Sequence, residues 1–497
     1  MPVLQKYVLE LTVFACGAIV MIYELVGSRV LGPYLGTSII VWTSLIGVIL
    51  GSLSLGYYLG GYAADRRGDI SHLGIILLLA SVSVLLTAAF KEQLLGWLAA
   101  FIVDIRILAV VSSVLLFLPA SVLLGMVSPY AAKLRLNALA TSGLTIGRLY
   151  ALSTVGSIAG TFAAGFYLIP LVGTTLLLFI LSAALAVIAS VLLMGTAFEK
   201  KSVCIVLIIA GSFILASADK ALSKDRIDVD TAYNRIWIYP YRDHATDRLA
   251  RVMRINNENH SSMFLDNDDL ANEYTKYYHL ARHFYPSFST TLMLGGGGYS
   301  FPKNAIDRYP NATMDVVEID SGVTALARMY FRLLDNPRLT IIHEDARVFL
   351  NRTEKKYDVI FGDAFNSQSS LPYQLTTRQA LRRMHDMLNE NGVFIVNIIS
   401  GLSGEKSTFL RAELATMKEQ FPHVVLFKVP NAATDNSGLY NLILVALKSD
   451  HAPSFETEDP ELRGYLDNRI LDEILSDMPI LTDDYAPVEY YISRQLL

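Results

Sequence analysis

"LMLGGGGYSFPKNAIDRYPNATMDVVEID", residues 292–320, decides how the second half of this chain folds. An apolar run ends at Leu294 in four glycines, and a second apolar run ends about two dozen residues later in Glu318. A strand that stops in glycines leaves backbone bare of side chains beside whatever binds there. An acid on the tip of the following strand can accept hydrogen bonds from both hydroxyls of a ribose. A glycine-rich turn alone is a weak signal, but two more strand ends extend the pattern. Asp345 in "IIHEDAR", with Ala346 beside it, offers an acceptor for an adenine amino group. Asp363 in "YDVIFGDAFNS" faces whatever the adenosine carries. Together these predict an adenosine pocket built from Gly295, Gly296, Gly297, Glu318, Asp345 and Ala346, with Asp363 at its reactive end.

Strands predicted at 291–295, 314–319, 339–343, 357–362 and 392–399 alternate with helices such as "SGVTALARMYF" and "TTRQALRRMHDML". That alternation implies a parallel sheet covered by helices. Two late runs, "HVVLFKVP" and "NLILVALK", read as an antiparallel edge pair. The whole is an α/β class I methyltransferase-like (Rossmann-like) domain, whose ligands bind outside the carboxyl ends of the strands. Ahead of it, "YNRIWIYPY", "LARVMRINN" and "SSMFLD" predict a small antiparallel β-domain, followed by a helix at about 268–284.

Residues 7–218 have a different texture. The chain is 53% hydrophobic, and nearly all its long apolar runs fall there. Seven are long enough to cross a bilayer: 8–28, 39–63, 73–90, 107–131, 147–170, 174–195 and 202–218. The shorter "EQLLGWLAAFI", 92–102, reads as an interfacial helix. Domains are therefore placed at 1–218 (multi-pass α-helical membrane domain), 219–285 (linker and small β-domain) and 286–497 (catalytic domain). A net charge of −5 without a basic track argues against nucleic acid, and the two cysteines, Cys16 and Cys204, make neither a disulfide framework nor a metal set. No metal is expected.

Lys6, Arg66–Arg67, Lys133 with Arg135, and Lys200–Lys201 flank alternate span ends, which places those loops in the cytoplasm of a cell inner or plasma membrane. Seven crossings then put residues 219 onward outside. The cofactor argument points the other way and places the catalytic domain in the cytoplasm, because an adenosyl donor is a cytosolic metabolite.

For a sulfonium donor, transfer is a displacement at a carbon next to sulfur. The protein has to position the partners and lower the dielectric. An amine nucleophile with a pKa near 10 arrives protonated, and Asp363 could take its proton. On these residues, 230–447 resemble spermidine synthase, the polyamine aminopropyltransferase family: a small β-domain, the glycine turn, "VEID", "DAR" and "YDVIFGDAF". The whole chain is similar to fused major-facilitator/spermidine synthase proteins. "GYYLGGYAADRRG" (56–68) resembles a transporter loop between helices, and the tail "LTDDYAPVEYY" also matches. The resemblance implies Asp363 as catalytic base and decarboxylated S-adenosylmethionine, or S-adenosylmethionine, as co-substrate. It also implies the glycines, Glu318 and Asp345 as cofactor contacts. Acceptor-side candidates are Tyr274, Gln368, Tyr373 and Asp484. The partners implied are the lipid bilayer and a small amine or membrane-proximal substrate, with a possible homodimer.

Three departures bear on the acceptor. Where the family's turn carries an aspartate for the aminopropyl amine, this chain has Gly298. Asn366 replaces a second aspartate, and Lys276 an acid near Tyr274. Aminopropyl transfer to an amine is the leading reading. Methyl transfer to a membrane-proximal substrate is the alternative, and a transporter-like or sensor protein that binds an adenosyl metabolite without turnover is the third.

Overall fold

The computed structural model describes residues 3–136, 142–194, 211, 226–243, 246–256, 258–364, 371–430 and 438–495. The chain divides into two compact units: residues 1–224 with Asp228–Arg235, and residues 225–227 with Ile236–Leu497.

The first unit is helical: α1 (Val3–Leu35), α2 (Ile39–Arg66), α3 (Ile70–Phe101), α4 (Ile105–Gly125), α5 (Val127–Arg135), α6 (Ser142–Ala163), α7 (Ile169–Val172) and α8 (Thr174–Leu193), with a π-helical turn at Ala164–Leu168 between α6 and α7. Among the described residues six helical stretches are long and apolar enough to cross a membrane, and they match the first six predicted runs. The seventh, 202–218, lies outside the described residues. The separate interfacial helix predicted at 92–102 is instead the last part of α3. Lys91, Glu92 and Gln93 are good helix formers and nothing there breaks the ladder, while Lys91 is buried at 3% exposure and pairs with Glu92.

Small residues and hydroxyls join these helices. A Cβ on Gly60 would meet the Met126 backbone of the neighbouring helix. Ser81 and Ser182 each donate to the other's carbonyl, at 2.7 and 2.8 Å, and the Tyr23 and Thr87 hydroxyls both donate to Leu116 O.

The strands are β1 (Ile227–Asp230), β2 (Arg235–Arg242), β3 (Leu249–Ile255), β4 (Glu258–Phe264), β5 (Thr290–Leu294), β6 (Thr313–Val317), β7 (Leu339–Ile342), β8 (Tyr357–Gly362), β9 (Leu388–Ser400), β10 (His423–Lys428) and β11 (Tyr440–Leu447). The first four form one sheet in sequence order, with β2, β3 and β4 paired antiparallel. The other seven form the order β10-β11-β9-β8-β5-β6-β7. Five strands are parallel, and β11 and β10 close one edge antiparallel. The chain runs outward through β6 and β7, then returns to the other side of β5 as β8. The order therefore reverses between β5 and β8, where α/β sheets of this kind hold their ligands. Predicted strand positions hold within a few residues. The helix expected at 268–284 is shorter, a run of turns over residues 273–284.

Asp358, second residue of the central strand β8, fastens the ends of the strands away from the switch point's ligand side. Its Oδ2 accepts from the backbone N–H groups of Ser289 (2.8 Å) and Thr290 (3.0 Å), and its Oδ1 from the Asn389 amide (2.7 Å). Burial pushes this carboxyl up, but these donors outweigh it and hold it below its ordinary value of 3.8. Asp358→Ala should cost about 1–3 kcal/mol of stability by orphaning them. A depressed folded-state pKa means the contribution is complete above the unfolded pKa and fades as pH falls through the folded one. Below pH 3.8 the wild-type melting temperature should thus fall more steeply than the variant's, and parallel acid limbs would contradict the assignment.

Candidate active site

Parallel register sets the tips of four strands level. Leu294 of β5 lies opposite Gly362 of β8, Asp363 N donates to Leu294 O (2.9 Å), Gly295 N to Val317 O (2.9 Å), and Glu318 N to Ile342 O (3.0 Å). Gly295 adopts φ +99°, and a Cβ there would lie 3.0 Å from Ala364 N. Backbone passes so close to backbone that only glycine serves.

Glu318, 8% exposed, braces this turn. Its Oε2 accepts from Gly296 N (2.9 Å) and Gly297 N (3.2 Å), and its Oε1 from Asp320 N (2.9 Å). Burial raises its pKa while these N–H groups oppose the shift. Most of its acceptor capacity is thus spent on the loop it was predicted to sit beside. From the other sheet, Ser261 of β4 takes the Gly298 N–H on its Oγ (2.7 Å), and Ser300 Oγ donates to Ser262 O (3.0 Å). Tyr299 stands in the left-handed region at φ +55°, a cost its buried hydroxyl offsets through Thr324 Oγ1 at 2.7 Å. Thr324 in turn pairs with His343 Nε2 at 3.0 Å.

Position 298 is closed. A Cβ there would fall 2.8 Å from Ser261 Cβ and 3.0 Å from the Phe331 ring, so the aspartate found at this place in the family pattern has no room.

Asp363 is half-buried at the tip of β8. The Tyr278 hydroxyl donates to its Oδ1 at 2.7 Å, and the Tyr274 hydroxyl is a second partner. Tyr278 stands among aromatic rings, with centroids 5.0 Å from Phe301, 5.5 Å from Phe361 and 6.0 Å from Tyr274. Burial beside this wall lifts the carboxyl to about 7, against the pull of Tyr278 and then Tyr274. The Tyr278 hydroxyl is itself pushed well up, by burial and by the Asp363 charge, so it stays a donor. A carboxyl poised near neutrality in a cleft suits proton transfer.

The other predicted residues scatter. Asp345 caps the helix Ala346–Arg352, its Oδ1 accepting from Arg347 N (2.8 Å) and Val348 N (3.1 Å). Its Oδ2 takes no hydrogen bond among the described residues, and Ala346 is half-buried beside it. Of the acceptor-side candidates among the described residues, the structure brings only Tyr274 to Asp363. Tyr373, 48% exposed, opens a short 3-10 turn. Asp484 is exposed, while its neighbour Asp483 binds Arg347 (2.7 Å) and Thr377 (2.7 Å). Gln368 lies outside the described residues. Tyr274 also lines a cavity of about 950 Å³ with Tyr241, Arg248, Lys276 and Tyr465, where Lys276 pairs with Glu273 at 2.5 Å.

Sequence reasoning missed Tyr278, although its spacing of four from Tyr274 puts both on one helical face. It also missed the brace formed by Ser261 and Ser262, for which a residue 37 positions away carries no local signal.

With this geometry in place, residues 273–448 match the family model described as the spermine/spermidine synthase domain. A polyamine aminopropyltransferase from Vibrio vulnificus is 34% identical over 150 residues, covering 30% of this chain and 48% of the relative. An N-terminal histidine N-methyltransferase from Emericella nidulans is 31% identical over 187 residues, 36% of this chain and 32% of that one. A solved structure titled a probable spermidine synthase from Corynebacterium glutamicum aligns with TM-score 0.41 at 24% identity, covering 48% of this chain and 85% of the other. The chain spans about half the length of the aminopropyltransferase relatives that match it first.

Tyr278→Phe removes a donor that favours the Asp363 carboxylate. If catalysis needs that carboxylate, the rise of rate with pH, centred near 7 in the wild type, should move to higher pH in the variant. An unmoved profile would show that the pair does not control the reaction.

Proposed function

We propose that this protein is a membrane-anchored transferase that moves an aminopropyl group from decarboxylated S-adenosylmethionine to an amine. The observation that carries the reading is the carboxyl of Asp363, held by Tyr278 beside the glycine turn at the sheet's switch point, inside the matched domain. The glycine turn and the uncommitted Oδ2 of Asp345 fit a nucleoside; Glu318 fits through its Oε1. In the reaction the amine nitrogen bonds to the donor carbon, and the carbon–sulfur bond breaks with its electron pair going to sulfur. The sulfonium leaves as a neutral thioether, and the amine proton passes to Asp363. Anchoring rests on the six apolar helices of the first unit, and the acceptor is an amine or a membrane-proximal group.

Methyl transfer is the second reading, favoured by the closure at Gly298. Without a carboxylate in the turn, the donor's propylamine loses its counter-ion there, whereas a methyl donor needs none.

Calorimetric titration of the full chain with decarboxylated S-adenosylmethionine, S-adenosylmethionine and methylthioadenosine separates these. Tighter binding of the decarboxylated donor supports aminopropyl transfer, and tighter binding of the carboxylated one supports methylation. Asp363→Asn should lose turnover by about 100-fold or more while keeping nucleoside affinity within a few-fold. Product formation at the wild-type rate would refute the base.

A further inference from the structure

We infer that the chain passes into its second unit at the face of the membrane away from the cytoplasm, so that the adenosyl site works outside it. The inference rests on the membrane-spanning reading above and on contacts within the first unit. Helices α1 and α6 run side by side in the same direction: Arg148 meets Glu10, and further along Ser157 Oγ donates to Gly17 O. Helices α3 and α8 run opposed: Ser81 meets Ser182 midway, and Gly74 near the start of α3 lies against Leu193 at the end of α8. The helix ends thus sort into two rims.

One rim gathers the starts of α1, α3 and α6 and the ends of α2, α5 and α8. It carries Arg66, Arg67, Lys133, Arg135 and Arg148. Lys133 pairs with Asp65 at 2.6 Å, Arg135 and Arg148 both bind Glu10, and the Tyr130 hydroxyl donates to Asp69 O. The other rim holds the end of α1, the last third of α3 and the start of α8, and residues Asp228–Arg235 pack on it. Thr174 donates to Asp230 through its N–H (2.7 Å) and its hydroxyl (3.0 Å), which also sets a negative charge at the N-terminus of α8. The Arg29 guanidinium donates to Ala232 O. Arg235, 3% exposed, is shared between Asp228 at 2.7 Å and Glu92 at 2.8 Å.

The positive-inside rule assigns the first rim to the cytoplasm. Arg235, immediately before the second unit, lies at the opposite rim. Helix α8 ends on the basic rim, and the apolar run predicted from sequence at 202–218 is the crossing this arrangement requires. An adenosyl sulfonium made in the cytosol must then be exported before this site can use it, and the acceptor is a group displayed on the outer face.

The test uses the full chain in intact cells with Cys16→Ser and Cys204→Ser. A single cysteine is placed at exposed Glu473 or at exposed Arg67 and challenged with a membrane-impermeant maleimide before and after permeabilisation. Glu473→Cys should label at once and Arg67→Cys only after permeabilisation. The reverse pattern, both labelled at once or both protected overturns the inference. A wild-type chain with alkaline phosphatase or green fluorescent protein fused after Leu497 gives an independent reading, with active phosphatase and dark fluorophore expected and the opposite pair contradicting it. Because these readouts report side and not turnover, either proposal can fail while the other stands.

Discussion

The approach of Gly295 to the Asp363–Ala364 backbone is the constraint on which the site depends. A side chain at 295 would collide with the chain leaving β8, and only through that closeness do the glycine turn and the acid share one cleft. Parallel pairing brings Leu294 level with Gly362. The two strands then end together, one in bare backbone and one in a carboxyl. Glu318 from the next strand holds the turn by its N–H groups, and Ser261 holds it from the other sheet.

Rigidity of the turn and closure at Gly298 have the same source. The Ser261 side chain, whose hydroxyl satisfies the Gly298 N–H, also fills with the Phe331 ring the space that a side chain at 298 would need. In the proposed reaction, donor recognition would therefore rest on the nucleoside and on the wall around Asp363 instead of on a side chain in the turn. That wall is aromatic, which explains why an acid ringed by hydroxyl donors still titrates near neutrality: the cost of removing charge from water exceeds what two tyrosine hydroxyls return.

Much of the fold was legible because its signals are local. Glycines after "LML", acids at strand tips, and apolar runs of spanning length each report on a few consecutive residues. The parallel sheet followed from the alternation of strands and helices, and six of the seven apolar runs recur as long helices. Long-range contacts were not legible. Glu318 was read as a ribose contact from its place on a strand; that it also braces the glycine turn through Gly296 and Gly297 shows in no short window. Asp484 was read from a matching tail, yet the neighbouring Asp483 makes the bonds. The interfacial helix at 92–102 failed as a separate element because charge alone does not end a helix when a buried charged side chain finds a partner, as Lys91 does in Glu92.

The central claim is that one nucleoside is gathered by the tips of β5, β6 and β7 and the turn that follows β5. Hydrogen-exchange mass spectrometry of the full chain, with and without saturating methylthioadenosine, tests it most directly. The account requires slowed exchange in peptides covering Gly295–Gly297, Glu318–Asp320 and Asp345–Val348 together, with no comparable change in the β10–β11 edge. Protection that misses these segments, or that appears only at that edge, would contradict it.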